Sequence, residues 1–215
     1  MRNRRCVHAF TLLELLVIMS ILTLLAAIVQ SSSTQARRAG MRSSCESNLR
    51  QIGAAISLYG IDNDDEFPSA VDQYWMDHPE WWVNPTKTPV ASLPNIIDVL
   101  APYTHSGKIF YCPGDTLGVT RIIGETVAGD YPSWFAYDRS SYFLYAPQFF
   151  GKSQTKYASA SFPLARDYDP RWHCAYENPQ LPTPAYNFLY ADTHVKFQSL
   201  LEGLRNMREA QNSAQ

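Results

Sequence analysis

From Phe10 to Val29 the sequence has no proline, no glycine and no basic residue, and its single acid is Glu14. Nothing there interrupts an apolar helix of the ~20 residues that crosses a ~30 Å hydrocarbon core, and the hydroxyls of Ser20 and Thr23 can return to backbone carbonyls. The chain is also short of catalytic signatures: it has no nucleophile elbow, no phosphate-binding loop and no zinc-binding His-Glu motif. Cysteines are few, and Cys6, Cys45, Cys112 and Cys174, with His173, stand at no zinc-ligand spacing. There is no basic face of the kind nucleic acid requires, and the formal charge is -2. What remains is one apolar run of membrane length ahead of a larger, more polar part.

An ionised carboxylate in hydrocarbon costs at least ~2.5 kcal/mol on insertion scales, so Glu14 calls for a partner that neutralises it. Ahead of the run, Met1 to Ala9 carries Arg2, Arg4 and Arg5 and ends in a small residue, as exported precursors begin. An ordinary cleaved signal has a core of ~7–15 apolar residues; this run is longer and has a carboxylate near its start, which favours a retained anchor. Arg37, Arg38 and Arg42 follow the run, so cations flank it on both sides and the positive-inside rule assigns no orientation.

Ala9 followed by Phe10-Thr11-Leu12-Leu13-Glu14-Leu15-Leu16-Val17 resembles the class III leader and first helix of type IV prepilins and type II secretion pseudopilins. The resemblance implies that a prepilin peptidase cuts between Ala9 and Phe10 and methylates the new amine of Phe10. Ala9 stands where that family more often has Gly. The resemblance further implies that Glu14, fifth in the mature chain, pairs with the amine of a neighbouring subunit and sets axial register. A buried carboxylate is tolerable when so paired and hydrogen-bonded. The implied partners are the peptidase, other pilin or pseudopilin subunits and the inner membrane. The leader would be cytoplasmic and the head extracytoplasmic. Loss of three arginines with the leader moves the formal charge to about -5 before the new amine is counted, a mildly acidic exported part.

Beyond Val29 the chain turns polar without losing helical character. Cys45, Leu49, Ile52, Ile56 and Tyr59 recur at steps of four and three, the stripe of a helix that buries one face. One helix from Phe10 to about Tyr59 is expected, some ~75 Å long at the α-helical rise, with Gly40 and Gly53 as local soft points. The stripe is too short for a coiled coil. Gly60 to Pro68 should end it. The expected organisation is a leader (1–9), a membrane and filament-core helix (10–29), its amphipathic extension (30–61) and a globular head (62–215). The expected fold class is α+β, pilin-like, with the long helix packed on a small antiparallel sheet.

In the head, Asn95 to Leu100 reads as a short helix, and Tyr142 to Tyr145 and Leu164 to Asp167 as strands. Asn187 to Ala191 and His194 to Gln198, about Asp192-Thr193, read as a β-hairpin, and Leu200, Leu201, Leu204 and Met207 mark a terminal helix. Cys45 with Asn48-Leu49-Arg50-Gln51-Ile52, Phe110-Tyr111-Cys112-Pro113 and the Phe188 to Val195 segment resemble the pilin-like family of planctomycete-type bacteria whose tail carries an Asp-Gly-His-Val turn. Thr193 stands where that family has Gly, and a β-branched residue at the second position of a type I′ turn would be strained.

Cys6 leaves with the leader, so the mature chain has one bridge and one thiol to distribute. Cys45 with Cys112 is favoured and Cys112 with Cys174 is the rival. Asp62, Asp64 and Glu66 alternate in a way that invites calcium, but without an EF-hand glycine or distant Glu a solvated acidic turn is the better reading, and no cofactor is expected. Trp75, Trp81, Trp82 and Trp134 suit core or subunit packing, with a carbohydrate or partner surface as the alternative. The competing reading makes the helix a mere anchor for a glycan-binding or enzymatic head that draws on Asp77, His78, Asp167, Asp169, His173, Asp192 or His194. Such residues occur in any head of this size, and the expectation is a structural subunit, not an enzyme.

Overall fold

Thr11 starts the first helix, α1 (Leu12–Asp62), by reciprocal capping. Its Oγ1 accepts from the Glu14 N–H at 3.2 Å while Glu14 Oε2 accepts from the Thr11 N–H at 3.0 Å and from its hydroxyl at 2.9 Å. This is the Thr-x-x-Glu capping box. The structure is a computed structural model that describes residues 11–79, 89–116, 118–123, 126–145, 149, 151–157, 161–169 and 185–213. With no proline before Pro68, nothing stops α1 until its carbonyls are captured at the far end. There Asn63 Nδ2 donates to the Tyr59 carbonyl at 2.8 Å, and Asp64 and Asp65 turn the chain at φ 51° and 65°.

The chain divides into two compact units, Met1–Ala39 and Gly40–Gln215, and α1 contributes to both. In the first unit, Leu12, Leu13, Leu16 and Leu24 stand exposed around the helix. Ser20 and Thr23 donate their hydroxyls to the carbonyls of Val17 and Ser20 at 2.7 and 2.9 Å. The expected span 10–29 begins outside the described residues, and among the described residues no helix is long and apolar enough to cross a membrane. In the second unit the stripe is inside: Cys45, Leu49, Ile52, Ala55 and Ile56 are buried, with Tyr59 packed against them.

The second unit is α+β. Strands β1 (Val119–Ile123) and β2 (Thr126–Tyr131) form a separate antiparallel pair. The main sheet has order β3-β4-β5-β6, antiparallel throughout, from β3 (Tyr142–Leu144), β4 (Pro163–Asp167), β5 (Ala185–Tyr190) and β6 (Val195–Ser199). Short helices α2 (Gln73–Asp77), α3 (Ile96–Leu100), α4 (Trp134–Asp138) and α5 (Gln154–Tyr157) lie in the connections, and α6 (Leu200–Ser213) follows β6.

Alternating residues of β5 point to opposite faces, and a helix covers each face. A Cβ at Gly53 of α1 would stand 2.9 Å from Leu189 Cδ1, and one at Gly203 of α6 would stand 2.3 Å from Phe188 Cζ. The sheet is therefore sandwiched between α1 and α6, and every residue of β5 is buried. Gly53 is a contact residue for the hairpin rather than a soft point.

The β5–β6 hairpin closes with three residues instead of the expected two. Thr193 N donates to the Tyr190 carbonyl and Tyr190 N to the His194 carbonyl, each at 2.9 Å, while Thr193 takes φ 69°. This is a three-residue loop whose last position is left-handed, the place a glycine ordinarily fills. The Thr that disfavours a type I′ turn is thus held at positive φ in a different turn.

Candidate assembly helix and head surface

Glu14 stands on the first turn of α1, its carboxylate held by Thr11. The cap satisfies a backbone N–H that the start of a helix leaves open. The signal for it, Thr followed three residues later by Glu ahead of an apolar run, was present in the sequence. The expected processing residues Ala9 and Phe10 lie outside the described residues, as do Cys6, Trp81, Trp82, His173 and Cys174.

Cys45 of α1 and Cys112 are joined by a disulfide across 67 residues, with Cα atoms 5.2 Å apart. Just beyond it, Asn48 Nδ2 donates to the Tyr111 carbonyl at 2.8 Å, so the Tyr111–Cys112 segment is fastened to α1 twice. Asp115 fastens the other side. Its carboxylate accepts from the N–H groups of Trp134 and Phe135 at 3.0 and 2.8 Å and from the Ser141 hydroxyl at 2.7 Å. Burial raises its pKa against those three bonds.

These fastenings build a groove of about 740 Å³ lined by Ile97, Ser106, Gly107, Lys108, Tyr111, Phe135 and Arg139. The Tyr111 ring meets that of Phe135 edge-on at 5.4 Å. Ser106 caps the 3-10 turn 107–110 by accepting from Lys108 N at 3.2 Å. Arg139 takes the left-handed position after α4 and donates to both carboxylate oxygens of Asp98 on α3, at 2.9 and 2.7 Å. That pair holds the Asp98 carboxyl below, and the Arg139 guanidinium above, its ordinary range. Sequence reading singled out none of the groove's polar side chains.

The acidic turn does not gather a metal site. Asp62, Asp64 and Glu66 are exposed, and among the described residues no three His, Cys, Asp or Glu side chains are placed to hold a metal ion. The acid that does bond there is Asp65, which accepts from the Ser153 hydroxyl at 2.5 Å and from the Thr155 N–H and hydroxyl at 3.0 and 2.9 Å. These bonds lower its pKa.

The residues of the competing reading are dispersed. His194 Nδ1 meets Asp192 Oδ1 at 2.5 Å beside the hairpin turn, with its ring stacked on Tyr190. Asp77 is buried and accepts from Gln73 Nε2 and the Tyr137 hydroxyl at 3.0 and 2.6 Å. Asp167, the last residue of β4, is buried and accepts from Asn187 N at 2.9 Å. Trp75 is buried with its indole N–H donated to the Leu144 carbonyl at 3.1 Å, and Trp134 stacks on Tyr168 at 4.0 Å.

Besides Asp115, two further buried acids escaped the sequence reading. Asp72 accepts from Trp75 N and Leu144 N at 3.2 and 3.3 Å. Asp138 accepts from Gln73 N at 2.6 Å and from the Tyr168 hydroxyl at 2.5 Å. Burial, opposed by those bonds, pushes Asp72 up to about 7. Burial and the neighbouring Asp72 carboxylate push Asp138 well above its ordinary value.

No curated protein and no solved structure matches the chain. A family model described as the prokaryotic N-terminal methylation motif matches residues 4–29. Over those residues the chain carries the class III leader motif that type IV prepilins and pseudopilins share.

Proposed function

We propose that the chain is a structural subunit of a type IV pilus-like or type II secretion pseudopilus filament. Prepilin peptidase cuts it between Ala9 and Phe10 and methylates Phe10. The mature helix anchors it in the inner membrane with the head extracytoplasmic, and then enters the filament core. The observation that carries this reading is the methylation motif at 4–29, running into a helix whose exposed apolar side chains surround one acid, Glu14. The Ser20 and Thr23 back-bonds suit such a helix to hydrocarbon. The largely apolar groove of the head suits contact between subunits better than catalysis, which calls for convergent polar groups.

Glu14 has two successive partners in this scheme. In the precursor it accepts from Thr11; once Phe10 carries a free amine, a neighbouring subunit supplies a cation for it. Mass spectrometry of the mature chain tests the processing: a start at Phe10 with one added methyl is expected, and a start after Ala27 or Ala36 refutes it. Glu14→Ala should leave processing and membrane insertion intact and abolish filament incorporation, read by microscopy. Normal filaments from that variant would refute the ion pair.

A further inference from the structure

Helix α4 has five residues, far fewer than the ~12–15 a helix needs to persist by itself in water, so its seat depends on what holds its ends. Those holds are mostly carboxylates. At its start the Ser133 hydroxyl oxygen accepts from Ala136 N at 3.1 Å, and Asp115 takes the N–H groups of Trp134 and Phe135. At its end Asp138 takes the N–H of Gln73, the first residue of α2, and the Tyr168 hydroxyl. Asp72, the N-cap of α2, completes the joint by taking the Leu144 N–H of β3. Around these bonds Trp134 stacks on Tyr168, and Tyr74 and Trp75 meet Phe143 at 5.3 and 5.6 Å. The same helix supplies Phe135 to the groove, and the residue that ends it supplies Arg139.

Asp72 and Asp138 are both 0% exposed, and among the described residues no cation bonds either of them. Arg139 follows Asp138 in the chain but turns its guanidinium to Asp98 of α3. From α2 come Asp77, bonded to the Tyr137 hydroxyl of α4, and then His78, stacked on Tyr74 at 4.7 Å. Tyr142 of β3 faces Asp167 and Asp115, and Asp169 acts on Asp115 at the other end of α4. Two carboxylates within each other's field, without a cation and without water, cannot both ionise cheaply, so the closed joint keeps a proton. Opening the joint relieves the burial that raises both acids. Its hold is therefore complete below the ~3.9 of an exposed aspartate and is lost as pH rises through the seated values.

We propose that α4 is a proton-held latch on the groove. With a proton on the pair Asp72 and Asp138, α4 seats on α2 and β3, and Phe135 and Arg139 stand in the groove wall. Loss of that proton releases α4 and opens the wall while the main sheet stays folded. The latch is a property of one head and does not depend on the filament reading.

Hydrogen exchange in the full chain, held in detergent micelles, tests it, with the protection of each amide taken relative to its intrinsic exchange at the same pH. Amides of α2 and α4 should be about tenfold or more less protected than those of β5, because they exchange through a local opening. Their protection should fall about tenfold or more from pH ~5 to pH ~7, since an acid held above its open-state value favours opening by up to ~tenfold per pH unit. Asp72→Asn with Asp138→Asn, neutral at every pH, should abolish that fall. Tyr168→Phe keeps the ring but removes a donor to the Asp138 carboxylate, so in that variant the fall should continue to higher pH. Equal protection of α4 and β5 overturns the latch, because exchange then requires the whole head to unfold. Protection that is constant with pH overturns it, as does a fall that persists in the double variant. If the double variant does not fold, an unshifted fall in Tyr168→Phe is the overturning result.

Discussion

Thr193 occupies a backbone conformation that costs a β-branched residue of order 1–3 kcal/mol, and it does so because the hairpin loop needs a left-handed residue at that point. The surrounding bonds hold it there: Tyr190 pairs on both sides of the loop, and Asp192 Oδ1 accepts from His194 N at 3.2 Å. Thr193→Gly should therefore raise head stability by about 1 kcal/mol even after glycine's larger unfolded-state entropy. A higher midpoint in urea denaturation is the expected result. Gly203 presents the opposite case. Alanine there gains up to ~1 kcal/mol of helix propensity but drives a methyl into the buried Phe188 ring. Overpacking of that kind costs ~1–3 kcal/mol, so Gly203→Ala should lower the midpoint.

Among the elements, α2, α4 and β3 are tied together by carboxylates rather than by apolar packing alone. Asp72 bonds α2 to β3, and Asp138, at the end of α4, bonds to Gln73 and Tyr168. Both acids have folded pKa values above the ~3.9 of an unfolded aspartate. Such groups stabilise the fold fully below the unfolded value, and that stabilisation is lost as pH rises through the folded one. The urea midpoint of the head should therefore fall between pH ~4 and about 7, the value reached by Asp72. The pair titrates as a unit, so Asp72→Asn with Asp138→Asn should flatten this slope. Asp65 and Asp98 carry the opposite sign, since their lowered values give a stabilisation that is lost as pH falls. Both are largely exposed, which keeps their contribution small.

For the molecule as a whole, the Cys45–Cys112 bridge closes a loop that contains α2 and α3. Closing a loop of that length removes about 4 kcal/mol of unfolded-state entropy in the chain-entropy account. Replacing both cysteines by serine should cost ~2–4 kcal/mol, measured by denaturation under non-reducing conditions. Because Asn48 also holds Tyr111, the groove floor should persist where the head remains folded.

How legible each part was depends on how local its cause is. The long helix could be read because apolar spacing at steps of three and four is a property of neighbouring residues. Its observed ends, Leu12 and Asp62, lie within three residues of those expected. The hairpin could be read from two apolar runs about a short link, but its turn could not. Whether Thr193 or another residue takes positive φ depends on the pairing of Tyr190 with both Thr193 and His194. Strands β1 and β2 and helices α2 and α4 were not foreseen: the short helices depend on caps from Asp72, Ser133 and Asp115, the last of which comes from a distant segment.

The sequence by itself determined that the chain begins with a methylation-type leader, continues into one apolar helix with a single acid, and buries a stripe through Tyr59. Each follows from residues adjacent in the chain or one helical turn apart. Tertiary structure alone decided that the sheet lies between α1 and α6 and that Cys45 meets Cys112. It also made Lys108, Tyr111 and Phe135 into one groove. Those outcomes depend on residues tens of positions apart, which the sequence orders but only packing brings together.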